Sequence, residues 1–252
     1  EEVCKKNIST KFIFQISIDS FPDKHDKIRK IPGLFNKAME SHNIIKNGPQ
    51  NCISTCNLTV SAENYKDVID LYDFLKNKHS FETIYPIIVR DEGVYKIPLS
   101  IKENLINAYK KLTDRIIDDR KKEKYMKKLS NFSIERSILN AKDKIAYRMT
   151  AESYLEPKFY TYCVAGSIFG VIQSDGTVYP CELLEEKSLG NLTEYDFNFL
   201  DLWQDANAQA TRKWIKDTKC NCHWECIRTY NLISSPKYAT KLLKEIISDW
   251  FF

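Results

Sequence analysis

The sequence predicts an α/β protein, with a parallel sheet in its first half and a small, cysteine-rich α+β region in its second half. Short apolar runs alternate with helical patterns over the first hundred residues. An Asp-Gly pair at 175–176 separates two strand-like segments, and five of the eight cysteines fall within 163–226. Short strand–helix–strand connections give parallel strands with right-handed crossovers.

The first half contains three predicted strands. Phe12–Ile18 is a nearly continuous apolar run, which is typical of a strand buried on both faces of a parallel sheet. The remaining elements follow in order: a helix over 34–43, a strand over Cys52–Val60, a helix over 62–76 and a strand over 83–89. Three strands do not close a barrel. We therefore expect about three β/α units of a partial (β/α) barrel.

The second half begins with a long helical pattern over 102–129 and continues into a polar segment. A hairpin is expected over 169–180, because Asp-Gly supplies the positive φ angles of a two-residue turn. Two more helices are predicted over 200–218 and 237–250. The expected domain limits are 1–129 for the half-barrel, 130–158 for a connecting segment, 159–232 for the cysteine domain and 233–252 for a terminal helix.

Composition and charge narrow the functional class. A net charge of +4 comes from 38 basic and 34 acidic residues, which is too balanced to favour a nucleic-acid binder. No apolar run reaches the roughly 18 residues needed to span a bilayer, so we expect a cytoplasmic protein without a membrane segment. The start has neither an initiator methionine nor a signal peptide, and we expect a fragment of a longer protein.

The clustered cysteines come from three separated segments. One precedes the hairpin, one follows it, and three follow the helix over 200–218: Cys163, Cys181, Cys220, Cys222 and Cys226. In a lysine-rich chain without a secretory signal, this clustering favours metal or cluster ligation over disulfides. A two-residue turn would pair Ser174 with Thr177 and place Cys181 opposite Gly170. Thiolates from these segments can then converge on one centre.

Spacing alone leaves the identity of that centre open. Four thiolates suit either a [4Fe–4S] cluster or structural zinc. Zinc sites commonly use paired Cys-x2-Cys knuckles, and none occurs here. His223 is a conceivable zinc ligand, although a local hydrogen-bonding role is the better interpretation.

An ordered set of motifs spans about 65 residues of the second half. It comprises Cys163-x2-Gly166, Ile172-x2-Asp175-Gly176-x-Val178-Tyr179-Pro180-Cys181-Glu182, Leu189-Gly190-Asn191-Leu192, Leu202-Trp203 and Cys220-x-Cys222-x3-Cys226. This set resembles the twitch or SPASM extension of radical S-adenosylmethionine (SAM) enzymes, which holds an auxiliary [4Fe–4S] cluster. The resemblance implies Cys163, Cys181, Cys222 and Cys226 as ligands, with Cys220 competing for one of these places.

A second string, Ser17-x-Asp19-x5-His25-Asp26-x2-Arg29, follows the first predicted strand. The carboxyl ends of parallel strands are where α/β folds place their sites. From the residues alone, a solvated capping loop is the better interpretation. The string is similar to the Ser-x-Asp-Gly…His-Asp-x2-Arg segment of radical SAM barrels, with Ser20 in place of the glycine. This resemblance implies that Ser17, Asp19 and Arg29 lie near SAM, and Asn57 on the next strand would face the same site.

The catalytic cluster motif of that family, Cys-x3-Cys-x2-Cys, is absent from the sequence. Cys52 and Cys56 begin the pattern, but Thr59 occupies its third position. We interpret both cysteines as small, buried strand residues. If the resemblance holds, the catalytic cluster lies upstream of this chain, which would be inactive alone.

The resemblance implies a portion of a radical SAM enzyme that binds an auxiliary [4Fe–4S] cluster and part of the SAM site. Its relatives suggest a peptide or protein substrate and a reducing partner such as flavodoxin or ferredoxin. The alternative hypothesis is a zinc-stabilised binding module without catalysis. A nucleic-acid binder is the least favoured, because the basic residues are scattered.

Overall fold

A computed structural model describes residues 2–91, 93, 96–122, 133–156, 158–222 and 224–251. The chain forms two compact units, Glu152–Ile247 and the remainder, Glu1–Ala151 with Ser248–Phe252. The first unit contains the strands β1 Phe12–Ile18, β2 Cys52–Val60 and β3 Ile84–Ile88. Its helices are α1 Glu2–Lys6, α2 Pro22–Arg29, α3 Leu34–Lys46, α4 Val68–Asn77 and α5 Leu99–Lys122, and α6 Ser133–Leu155 continues into the second unit.

The three strands of the first unit form a parallel sheet in the order β1-β2-β3, so the predicted α/β class is confirmed. Phe12 is opposite Cys52, and Cys56 is opposite Ile84. The two strand cysteines are buried, as expected, and Cys56 is fully enclosed. Burial raises the pKa of the Cys56 thiol, which keeps it protonated and unreactive.

The burial expected for β1 on both faces is wrong. Among the described residues β1 pairs with β2 alone and is an edge strand. Ile13 is 51% exposed and Phe14 is 41% exposed. The spacing of apolar residues identifies a strand, but it does not show whether another strand or layer covers that strand.

Two helices that begin in the first unit were not assigned from the sequence. The polar stretch after β1 forms α2, which begins with proline in its first turn, where the missing N–H costs nothing. The predicted connecting segment is mostly helix α6, and the buried ion pair between Arg120 Nη1 and Asp143 Oδ2 (2.8 Å) joins it to α5. The last predicted residues of the preceding helix, 123–129, lie outside the described residues.

Within its described residues, the second unit contains a small antiparallel sheet and four helices that follow α6. Its strands are β4 Val171–Ile172, β5 Thr177–Tyr179 and β6 Gly190–Asn191, with two 3₁₀ helices at Glu185–Lys187 and Leu192–Tyr195. Its helices are α7 Phe199–Gln204, α8 Ala206–Asp217, α9 Glu225–Ile233 and α10 Pro236–Phe251. No helix within the described residues is long and apolar enough to span a bilayer.

The hairpin forms where expected, but its register differs by one residue. Val171 is opposite Tyr179, and the Gln173 N–H donates to the Thr177 carbonyl at 2.8 Å. The turn therefore has three residues, and Gly176 takes the positive φ of 86°. The Asp175 carboxylate accepts the Thr177 N–H at 3.0 Å, which favours this turn over the predicted two-residue one.

The predicted helix over 200–218 is two helices. Asp205 ends α7, and its side chain then caps α8 by accepting the Asn207 N–H at 2.8 Å. Gly190-Asn191 of the motif set pairs with β5 as a short strand. Asn191 also caps the following 3₁₀ helix by accepting the Thr193 N–H.

Candidate functional site

Four of the five clustered cysteines lie together in the second unit. The Cys220 thiol hydrogen-bonds to Cys163, and the charges of Cys163 and Cys222 both act on Cys181. All four pack in one apolar cluster with Ala165 and neighbouring residues. No disulfide joins any of the eight cysteines, all of which lie in the described ranges.

Cys226 differs from these four cysteines in its exposure. It lies in the first turn of α9 and is exposed, whereas Cys181 is buried and the other three are partly buried. His223, the conceivable zinc ligand, lies outside the described residues. The apolar cluster therefore includes Cys220 together with Cys163, Cys181 and Cys222.

The thiol of Cys163 is held by donors from three parts of the unit. Cys220, the Ala165 backbone N–H and the Asn231 side chain all hydrogen-bond to it and hold its pKa below the usual range, although burial opposes them. Asn231 is fixed in turn because its Oδ1 accepts the Val164 N–H at 2.8 Å. Hydrogen bonds of this kind stabilise a thiolate, which is the form that ligates metal.

Cys181 follows the hairpin and is buried. Burial raises its pKa to about 11, and the nearby charges of Cys163 and Cys222 add to the rise. Backbone N–H groups of Leu183 and Leu184 donate to the sulfur and partly offset this effect. Removing the proton from these thiols together therefore needs a positive partner, which a bound metal supplies.

The chain is bent into the site at Gly166. Its φ of 71° is a left-handed value that favours glycine, and a Cβ there would lie 3.2 Å from Pro180. The Gly166 N–H donates to the carbonyls of Phe169 (2.7 Å) and Pro180 (3.2 Å). Cys163, which precedes this bend, is thus brought back towards Cys181.

Arg228 anchors the segment that carries Cys222. This buried guanidinium donates from Nη2 to the Cys222 carbonyl at 2.5 Å and from Nη1 to Ser153 Oγ at 3.0 Å. It also lies over the ring of Tyr160, whose hydroxyl donates to Glu152 at 2.8 Å. Helix α9 therefore supplies both Arg228 and Asn231 as supports for the cysteines.

Aromatic side chains surround the cysteines. Phe169 contacts Trp224 edge-on, with ring centroids 5.4 Å apart, and lies 5.6 Å from Tyr230. Trp214 packs on the same apolar cluster, with Lys187 Nζ 4.6 Å from its ring. An apolar shell of this kind limits access of water and influences the potential of a bound redox centre.

The donor chemistry fits a thiolate-bound metal centre. Soft sulfur ligands converge, and backbone and side-chain N–H groups already point at two of them. Across the described residues, no three Cys, His, Asp or Glu side chains form a ready-made metal site. The chain thus presents neighbouring thiols that a metal or cluster would still have to draw together.

The residues expected near SAM lie at the carboxyl end of the parallel sheet. Ser17 on β1 is the register partner of Asn57 on β2, so the two share one face. Asp19 is buried and forms a two-point ion pair with Arg29, which includes an Nη2–Oδ1 bond of 3.2 Å. The Arg29 guanidinium is therefore occupied by a carboxylate of its own chain.

Sequence reasoning missed Asn64, which ties this sheet edge together. Its buried side-chain amide donates to the carbonyls of Asp19 and Thr59, both at 2.6 Å. His25 accepts the Asp19 N–H at 3.2 Å, so it supports the same turn. The ends of β1 and β2 are thereby fixed, although nothing in the spacing of Asn64 indicates this role.

Comparison with known proteins agrees with the cysteine geometry. Residues 163–227 match the SPASM family, described as an iron-sulfur cluster-binding domain. A search of curated proteins finds no match to the chain. Residues 163–227 of the second unit are therefore similar to a SPASM iron–sulfur cluster-binding domain.

Proposed function

We propose that the SPASM domain binds an auxiliary [4Fe–4S] cluster through the clustered cysteines. The observation that carries the proposal is the convergence of Cys163, Cys181, Cys220 and Cys222 within the matched region. Hydrogen bonds to Cys163 and Cys181 support thiolate ligation. When bound, such a cluster accepts or donates single electrons, or offers an iron to substrate.

The proposed ligands are Cys163, Cys181, Cys222 and one further cysteine. Proximity favours Cys220, which hydrogen-bonds to Cys163. The family resemblance favours Cys226, which is exposed on α9. We take Cys220 as the fourth ligand, since it packs in the same apolar cluster as the other three.

We further propose that the chain is a portion of a radical SAM enzyme acting on a peptide or protein substrate. Ser17 and Asn57 would contact SAM, with Asp19 and Arg29 shaping the same edge. The exposed apolar side chains of β1 support a sheet that belongs to a larger barrel. Flavodoxin or ferredoxin would supply electrons in the cytoplasm.

Anaerobic reconstitution followed by iron, sulfide and zinc analysis tests cluster binding. We expect about four iron and four sulfide per chain. One zinc without sulfide would instead establish the zinc-stabilised module. Cys220→Ser and Cys226→Ser form a matched pair: loss of iron only in the first supports the proximity assignment, and loss only in the second overturns it.

Equilibrium dialysis with labelled SAM tests the sheet-edge site separately. We expect SAM to bind about tenfold more weakly when Asn57 is changed to Ala. Loss of one polar contact costs about 1.4 kcal/mol, which corresponds to a tenfold change in Kd. Asn43→Ala, on α3, serves as the control. Equal SAM binding by both variants would exclude Asn57 from the site.

A further inference from the structure

A short segment of the second unit exposes large apolar side chains. Phe197 is 71% exposed and Leu200 is 62% exposed, while Phe199 is 37% exposed and stacks on Trp203 with ring centroids 5.1 Å apart. Aromatic and aliphatic groups presented together to water are typical of interaction sites. We call Phe197, Phe199 and Leu200, with the acidic residues around them, the aromatic–acidic patch.

The backbone holds Phe197 outward in an unfavourable conformation. Asp196 and Phe197 have consecutive positive φ values of 49° and 59°. A bulky residue with positive φ is a conformational outlier, and such strain tends to persist where it serves function. The Phe197 N–H donates to the Leu192 carbonyl at 2.8 Å, and the Asn198 N–H donates to Tyr195 at 2.8 Å. The segment is therefore fixed by hydrogen bonds.

The same segment is acidic in a chain that is basic overall. Residues 188–211 contain four carboxylates and no lysine or arginine, although the whole chain has a net charge of +4. The carboxylates are Glu194, Asp196, Asp201 and Asp205. Within the described ranges, no ion pair joins Glu194, Asp196 or Asp201 to a basic side chain of this chain.

We propose that the aromatic–acidic patch docks a basic, apolar peptide segment of a partner protein. Lysine or arginine side chains would pair with Asp196, Asp201 and Glu194, and apolar side chains would cover Phe197 and Leu200. The charge also excludes an acidic partner surface, because like charges facing each other oppose association. The proposal goes beyond cluster binding and does not depend on it.

Fluorescence anisotropy with a labelled peptide in which lysine alternates with leucine tests this proposal. We expect saturable binding that weakens with added salt. A peptide alternating glutamate and leucine should not bind, and one alternating lysine and serine should bind at least about tenfold more weakly. Equal binding of the glutamate–leucine peptide would overturn the proposal.

Phe197→Gly separates the docking role from a structural one. Glycine adopts positive φ without strain, and the exposed phenyl ring contributes little packing, so the thermal unfolding midpoint should rise. Peptide affinity should nevertheless fall at least about tenfold. Unchanged affinity would refute the proposed surface.

Asp196→Asn tests the charge, since asparagine tolerates left-handed backbone well. We expect weaker binding and a smaller salt dependence. The control variants Leu243→Ser and Glu103→Gln alter an exposed apolar residue and an exposed acid elsewhere, and should leave affinity unchanged. Binding lost equally in the controls would contradict the proposal. Measurements on metal-free and reconstituted chain distinguish a failure of docking from a failure of cluster binding.

Discussion

Asn231 Oδ1 accepts the backbone N–H of Val164 at 2.8 Å, while the same side chain hydrogen-bonds to the Cys163 thiol. Asn231 lies four residues beyond the region that matches the SPASM family, 163–227. A residue on α9 thus fixes the backbone beside a proposed ligand and contacts its sulfur. Hydrogen bonds to sulfur are among the features that set iron–sulfur potentials.

Asn231→Asp should lower the reduction potential of the reconstituted cluster. The carboxylate can still accept the Val164 N–H but cannot donate to sulfur, and its negative charge disfavours an added electron. We expect the free energy of cluster reduction to become less favourable by on the order of 1 kcal/mol, as measured by spectroelectrochemical titration, while the iron content stays unchanged. Asn221→Asp adds the same charge to the cysteine segment but loses only a bond to the Lys158 carbonyl. An equal shift of the reduction potential in both variants would show that the added charge, and not the lost hydrogen bond to sulfur, changes the potential.

Arg228→Met should destabilise the metal-free chain by about 2–3 kcal/mol. Its removal deprives Ser153 Oγ and the Cys222 carbonyl of a buried donor. Urea denaturation followed by circular dichroism measures the loss, and Lys216→Met on α8 is an exposed control. A loss no larger than that of the control would mean that Arg228 does not anchor the cysteine segment.

Gly170→Ala should cost about 1–3 kcal/mol, because its Cβ would lie 2.9 Å from the Trp203 ring. Trp203→Phe removes that ring edge, so the double variant should recover part of the loss. A double-mutant cycle from thermal or urea unfolding measures the coupling. Purely additive losses would show that the close approach is not the cause.

Asp119 should make stability depend on pH in the acid range. Burial alone would raise its pKa, but hydrogen bonds from Lys76 (2.7 Å) and Tyr72 (2.9 Å) outweigh burial and lower it. The folded state therefore favours the carboxylate more than the unfolded state does. Its contribution is present above the unfolded pKa of about 3.9 and is lost as pH falls through the folded value.

Asp119→Asn should accordingly be less stable than the unchanged chain near neutral pH, by about 1–2 kcal/mol. The difference should shrink as the pH falls below about 4. Urea unfolding at neutral and acid pH measures both quantities. Asp23→Asn, an exposed position on α2, should show no such convergence. If the difference in unfolding free energy between the two chains stayed the same at acid pH, the titration of Asp119 would be ruled out as its cause.

The strand positions were predictable because apolar runs and turn residues are local signals. β1 and β2 match their predicted limits, and the Asp175-Gly176 turn marks the hairpin. The one-residue register error arose because the Asp175 carboxylate bonds to the Thr177 N–H, which sequence spacing does not reveal. The break at Asp205 was missed for a similar reason, since an aspartate can end one helix and cap the next.

For the cysteine site, the sequence indicated which residues to consider as ligands but not which side chains support them. Clustering along the sequence singled out the five cysteines, and the structure brings Cys163, Cys181, Cys220 and Cys222 together. The exposure of Cys226 and the supporting roles of Arg228 and Asn231 depend on how α9 packs, which no local pattern encodes. The pairing of Arg29 with Asp19 likewise required the folded turn after β1.

The exposed strand β1 has a consequence for handling the chain in solution. Among the described residues, its outer edge carries backbone amides that β2 does not use, and Ile13 and Phe14 are exposed on the two faces beside that edge. Such an edge is a template for intermolecular strand addition, and charged side chains are the usual protection. At high protein concentration, light scattering should therefore increase over time, and Ile13→Lys should suppress the growth of aggregates.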